Sequence, residues 1–273
     1  IWGGTNRLYA TIKFFIYTMF GSLMMLVSLL YTANIYRDLQ GAWSFNVLDW
    51  YGMEIAVETQ FWLFIGFAAA FAVKIPLFPF HTWLPDAHYE APTAGSVQLA
   101  AVMLKFGPYG FLRFAMPVFP AAVYDLAPVF MVLALIGIIY GGLVAMVQTQ
   151  IKRLIAYSSV AHMGYIVLGL FALNIQGLSG SWIQMINHAI VTGALFLTVG
   201  MIYERTHTQE ISEYGGVAHT MPKFAVFLVF FSLAFFSFPE IIESTKGHHS
   251  LSILSISVLL LARATGYTGN KGG

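Results

Sequence analysis

The sequence predicts an all-α fold: a polytopic bundle of about eight transmembrane helices, one of them discontinuous near residues 74–79. Three observations predict it. Of 273 residues, 58% are hydrophobic and only 9% are charged, whereas an average soluble domain has about 25% charged residues. The apolar residues also fall in runs long enough to cross a bilayer, whose hydrocarbon core of about 30 Å takes roughly 20 helical residues. Finally, the runs lack the alternation of a membrane barrel strand. Backbone groups in lipid must bond within their own segment, so runs of this kind are helical.

The eight runs are 13–35, 59–84, 94–116, 127–148, 153–173, 182–203, 222–241 and, more weakly, 250–264. Connections are short except 36–58, whose Arg37, Asp38, Trp43, Trp50 and Tyr51 suit a membrane–water interface. As a continuous helix, 59–84 would be about 39 Å long and overshoot the membrane. Pro76 and Pro79 each remove a backbone donor and break it. Gly137 and Gly141 form a small-xxx-small pair for close helix approach. Residues 1–264 read as one membrane domain and 265–273 as a disordered tail.

Net charge is +1 and no basic cluster exceeds Lys152–Arg153, which excludes a nucleic-acid partner. Cysteine is absent, so disulfides and iron–sulfur ligation are excluded within the chain. There is no phosphate-cradling glycine loop, nucleophile elbow or dinucleotide fingerprint. With alternating helices, Arg7, Lys13, Lys152, Arg153, Arg205 and Lys223 fall on one side and Arg37, Arg113 and Lys246 on the other. The first side is therefore predicted to be cytoplasmic. The first residues include no initiating Met and no signal peptide, and the chain reads as an internal piece of a longer protein.

A charge at mid-membrane costs at least about 2.5 kcal/mol, so polar groups within the runs are informative. Lys105 lies about 16 Å along its run, near the bilayer centre. Gln98 and Tyr109 would share its helix face. Lys74 sits beside the proline break, where it is either an ion-site residue of a discontinuous helix or a cap for the freed carbonyls. His162 has Ser158, Ser159 and Tyr165 at helical spacing, and His188 has Gln184 and Thr192 one turn to either side. Each imidazole fits either a proton relay, since His titrates near physiological pH, or a hydrogen bond that packs two helices. The loop His81-Thr82-Trp83-Leu84-Pro85-Asp86-Ala87-His88-Tyr89-Glu90 is the most polar stretch near the break. His81, Asp86, His88 and Glu90 are metal-ligating types, but their spacing fits no metal template. A hydrogen-bonded turn lining a proton entry path fits better.

The motifs Phe71-Ala72-Val73-Lys74-Ile75-Pro76, His81 to His88, Ala91-Pro92-Thr93-Ala94-Gly95-Ser96, Leu104-Lys105, Ile151 to Gly164 and Asn187-His188-Ala189 occur in order. Over about residues 5–235 they resemble the antiporter-like membrane subunits of respiratory complex I, the subunit M or chain 4 type, which share motifs with Mrp antiporters. The resemblance implies a proton-translocating subunit of an NADH–quinone oxidoreductase in a bacterial cytoplasmic membrane, beside other membrane-arm subunits. NADH, flavin, iron–sulfur clusters and quinone would belong to other subunits, with no cofactor in this chain. It also implies that Lys74 is the broken-helix lysine, whose glutamate partner lies upstream of Ile1, and that Lys105 passes protons to His162 and His188. An Mrp-type sodium/proton antiporter and a non-pumping structural fragment are the alternatives. After Pro239 the family has a second broken helix with a glycine-rich turn and a proton-exit residue. Ser237 to His249 fits that pattern poorly, as in a truncated or frameshifted chain.

Overall fold

The computed structural model describes residues 3–244, with side chains to residue 235 except that of Val217. The weak run 250–264, the tail 265–273, Lys246 and the segment 245–249 lie outside the described residues. The helices are α1 (Arg7–Gln40), α2 (Val57–Lys74), α3 (Trp83–Glu90), α4 (Thr93–Ala101), α5 (Phe106–Gly110), α6 (Met116–Val118), α7 (Pro120–Met146), α8 (Ile151–Phe171), α9 (Ile175–Thr206), α10 (Val217–Thr220) and α11 (Pro222–Ser244). Among the described residues the one β feature is an isolated bridge between Gln150 and Glu210. By length and apolarity α1, α2, α7, α8 and α9 can each cross a membrane, and the chain is an integral multi-pass protein.

The break after Lys74 occurs as expected, and backbone hydrogen bonds explain its form. Pro76 cannot donate to the Ala72 carbonyl, so the Leu77 N–H does so instead, at 2.9 Å. That diverts the donor that Val73 would have had in a continuous helix. The Trp83 indole N–H supplies a replacement at 3.0 Å. The chain then turns over 75–82 and resumes as α3.

Run 94–116 is not the single helix expected. Between α4 and α5 the chain tightens into a 3₁₀ turn at Met103–Lys105, and between α5 and α6 it widens into a π-helix at Phe111–Ala115. Two prolines account for this. Pro108 withholds a donor from the Leu104 carbonyl, and Pro117 withholds one from Arg113. The Arg113 carbonyl takes the Tyr51 hydroxyl instead, at 2.6 Å.

A core of aromatic side chains fills the space between α2, the 106–119 segment, α7 and α8, with Phe64, Phe111, Phe119 and Phe171 fully buried. Phe130 and Phe171 stack with centroids 4.5 Å apart. A second core joins α9, α11 and Ala100 through Val191, Leu195, Phe196, Val199 and Phe235. Helices α7 and α8 approach most closely at Gly141 and Gly164. A Cβ on Gly141 would lie 2.9 Å from the Ala161 nitrogen, and one on Gly164 would lie 2.9 Å from the Ala134 carbonyl. At Gly137 a Cβ would meet nothing within 4 Å. The close contacts are therefore made by Gly141 against Tyr157 and Ala161 and by Gly164 against Ala134 and Ile138, not by the Gly137–Gly141 pair.

The two ends of the bundle differ in charge as the loop count implied. At one end Lys13 bonds Asp86 at 2.8 Å, Arg153 sits 3.9 Å from the same carboxylate, and Lys152 donates to the Ala91 carbonyl at 3.0 Å. There the Tyr214 phenol, in the loop after α9, is pushed up to about 12 by burial. At the other end Arg37 pairs with Asp38 and lies 4.7 Å from the centroid of the Trp43 ring.

Candidate functional site

The polar residues of three helical segments converge in the middle of the bundle. Lys105 closes the 3₁₀ turn after α4, His162 lies midway along α8 and His188 midway along α9. The turn is what aims the lysine. Its amine donates to the Ala100 carbonyl at 2.5 Å and sits 2.7 Å from His188 Nδ1. An ammonium here donates to that nitrogen, which leaves the proton of a neutral His188 on Nε2.

The next link crosses from α9 to α8. Gln184, one turn before His188, places its Nε2 3.2 Å from His162 Nδ1. With the amide donating, His162 also carries its proton on Nε2. The two imidazole centroids are 5.8 Å apart. Phe235 of α11 covers both rings, at 4.4 Å from His162 and 6.0 Å from His188. Thr192 donates to the His188 carbonyl, which fixes that turn of α9. His162 and His188 are 4% and 2% exposed, so both rings are almost wholly enclosed. Yet His188 Nε2 and Gln184 Oε1 have no hydrogen-bond partner among the described residues. Buried polar atoms of this kind are ordinarily satisfied, often by an internal water.

The remaining predicted residues lie elsewhere. Lys74 is half-buried at the end of α2, and its amine bonds none of the described residues. The capping of the break is done by Trp83 and Leu77, not by Lys74. Ser158 and Ser159 donate to the Leu154 and Ile155 carbonyls of their own helix, each at 2.8 Å, and do not reach His162. The Tyr109 ring is 44% exposed and makes no side-chain contact with Lys105, His162 or His188 among the described residues. Gln98 lines a lateral cavity of about 340 Å³ with Arg7, Glu90 and Met103.

The polar loop also divides. His81 is buried, stacked on Phe78 at 5.6 Å and edge-on to Tyr140 at 5.0 Å. Asp86 holds Lys13 and Arg153. His88 is fully buried and stacks on Phe196 at 4.4 Å, with Lys152 and Lys105 the charges that act on it. Glu90 accepts from the Asn6 N–H at 3.0 Å. These side chains go to separate partners, and among the described residues no three His, Asp or Glu converge as metal ligands.

Phe196, Phe235 and the Ala100 carbonyl were not legible as parts of the site. The first two are apolar residues within apolar runs, and a carbonyl has no sequence signature. Trp83 had a signal: an indole donor a few residues beyond a double-proline break that frees carbonyls.

An NADH-quinone oxidoreductase subunit M from Rhodobacter capsulatus is 49% identical over 243 residues, which are 86% of this chain and 47% of that protein. An NADH-ubiquinone oxidoreductase chain 4 from Chondrus crispus is 48% identical over 240 residues, 88% of this chain and 48% of that protein. The chain thus spans about half the length of the curated relatives it matches. Among solved structures, respiratory complex I from Thermus thermophilus matches with a TM-score of 0.86 and 32% identity, over 99% of this chain and 61% of the matched one. The Mrp complex from Dietzia sp. matches with a TM-score of 0.73 at 20% identity, over 94% of this chain and 48% of the matched one, a likeness of fold alone. The family described as "NADH:quinone oxidoreductase/Mrp antiporter, TM" matches residues 1–263, beyond the 5–235 over which the motifs had suggested it, and the chain belongs to that family.

Proposed function

We infer that this chain carries the proton relay of an antiporter-like subunit of a complex I, working beside other membrane-arm subunits. One observation carries the reading: Lys105 Nζ lies 2.7 Å from His188 Nδ1, deep in the bundle, with His162 and Gln184 next in line. A half-buried lysine and two buried imidazoles are costly in a membrane and are kept where they act.

The chemistry follows from the bonds. Lys105 passes a proton to His188 Nδ1 along the existing hydrogen bond. The His188 Nε2 proton then leaves toward His162, across a gap that one water spans at a ring separation of 5.8 Å. In one passage His188 takes a proton on Nδ1 and releases one from Nε2, after which its tautomer has to be reset before the next; His162 accepts only when the Gln184 amide gives up its Nδ1. Lys74, with no partner among the described residues, is free to respond to a charge outside them. Its protonation would bias Lys105 by repulsion through the broken helix. No electron transfer is assigned to this chain, since redox centres would sit in other subunits. The basic end, with Lys13, Lys152 and Arg153, would face the cytoplasm or its equivalent.

The test uses the complete subunit in its complex. Lys105→Ala and Lys74→Ala should each lower protons pumped per NADH oxidised while the complex still assembles. Unchanged pumping in both rejects the relay. A structural scaffold would instead lose assembly and keep full pumping in whatever complex remained.

A further inference from the structure

At the basic end of the bundle, a cavity of about 340 Å³ opens between the last turn of α9 and the first turn of α11. It is lined by Met201, Arg205, Met221, Pro222, Lys223 and Phe224. Among the described residues its two cations have no carboxylate partner. Arg205 donates to the Met221 sulfur, a weak acceptor, and Lys223 makes no ion pair among the described residues. Glu204, the acidic residue next to Arg205, does not line the cavity. The amino end of α11 adds partial positive charge on the same side.

The surroundings give the ligand a shape. Two exposed apolar lanes run from the cavity toward mid-membrane. One is Leu197 and Met201 on α9, which are 46% and 49% exposed; the other is Phe227 and Phe230 on α11, which are 58% and 62% exposed. Helices α9 and α11 pack against each other, and Met201 of the first lane lines the cavity itself. A polar anion at the level of Arg205 and Lys223, joined to two hydrocarbon chains, satisfies every part of this surface. Neither a free phosphate nor an acidic peptide would cover the lanes.

We propose that this cavity binds the headgroup of an anionic phospholipid, with the phosphate on Arg205 and Lys223 and the acyl chains along α9 and α11. A phosphate oxygen would displace the Met221 sulfur from Arg205, replacing a weak acceptor by a charged one. Basic pockets between helices on the cytoplasmic side are suited to such lipids. The proposal rests on the chain's being a membrane protein and does not depend on the proton relay.

The test places a photo-crosslinking amino acid at Met201 in the complete complex, in nanodiscs containing equal amounts of phosphatidylglycerol and phosphatidylcholine. Adducts are counted by mass spectrometry. Phosphatidylglycerol adducts should exceed phosphatidylcholine adducts roughly tenfold, the preference two cations near a membrane surface can confer. Arg205→Gln with Lys223→Gln should bring the ratio close to one, and Arg205→Lys should retain most of it. A ratio near one in the parent, a ratio unchanged by the double substitution, or adducts to protein in place of lipid would each overturn the proposal. So would loss of the preference with inorganic phosphate in the buffer but not with chloride at equal ionic strength, because a free anion would then be the ligand.

Discussion

Helices α1 and α8 are almost equally apolar, with mean hydropathies of 1.8 and 1.6 over their best windows, yet 11% of that window is buried in α1 and 72% in α8. In water such a difference would show in composition, because an exposed face must be polar. In lipid it does not, because hydrocarbon tails are as apolar as leucine. What separates the two helices is where the small and polar residues fall. α8 carries Ser158, Ser159, His162 and Gly164, all buried, whereas α1 exposes Leu8, Phe15, Phe20, Leu23 and Val27. A polar stripe therefore marks the inward face of a membrane helix, as an apolar stripe does for a soluble one.

The largest expected effect on this comparison comes from the tight face of α8. Gly164→Leu would force a side chain into the Ala134 carbonyl, which a Cβ alone would approach to 2.9 Å. The Ala134 carbonyl and the Ile138 nitrogen, the latter 3.3 Å from that Cβ, are helix backbone and cannot give way. The substitution should destabilise the subunit by about 3 kcal/mol or more. The readout is the thermal unfolding midpoint of the purified complex, or the amount of assembled subunit in the membrane. Gly137→Ala on α7 is the control: it has open space and should change stability by less than about 0.5 kcal/mol. Equal effects would show that α7 and α8 do not pack as described.

That glycine contrast also shows how far the sequence could be read. The small-xxx-small spacing located the interface on α7 but could not say which glycine touches, because contact depends on the partner's phase. Lys105, His162 and His188 were identifiable from the cost of burying them, and helical period placed Gln184 beside His188. Period could not show that Gln184 bonds His162 on the neighbouring helix. Period could not show either that the Tyr109 ring stands 44% exposed, because spacing does not say which face of a helix turns inward. The break at Pro76 was predictable because proline chemistry is local. The Trp83 bond that completes it needed the return path of the chain.

A smaller effect is expected where α1 does touch the rest of the bundle through charge. Asp86 on α3 joins Lys13 on α1 to Arg153 on α8, with side chains 19–40% exposed. Partly exposed pairs are worth about 1 kcal/mol or less, screened by salt. Asp86→Asn should cost about that much at low ionic strength and less at high. Adding Lys13→Gln should then cost almost nothing more, since the partner is already gone. Unfolding midpoints of the single and double variants at two salt concentrations decide this. A large, salt-independent loss would mean that Asp86 has a role beyond the pairing of α1 with α8.

The smallest expected effect sharpens the comparison most. Leu23 lies midway along α1 and is 53% exposed. If lipid covers it, Leu23→Ala exchanges contacts with hydrocarbon chains for contacts with other hydrocarbon chains, and stability should change by less than about 0.5 kcal/mol. If a neighbouring subunit packs on that face, the same truncation leaves a cavity between two helices and should cost about 2 kcal/mol or more. The complete complex and the isolated complete subunit, compared in the same detergent, separate the two cases. A cost seen only in the complex would identify the open face of α1 as an interface, and the 11% burial as that of a helix waiting for its neighbour.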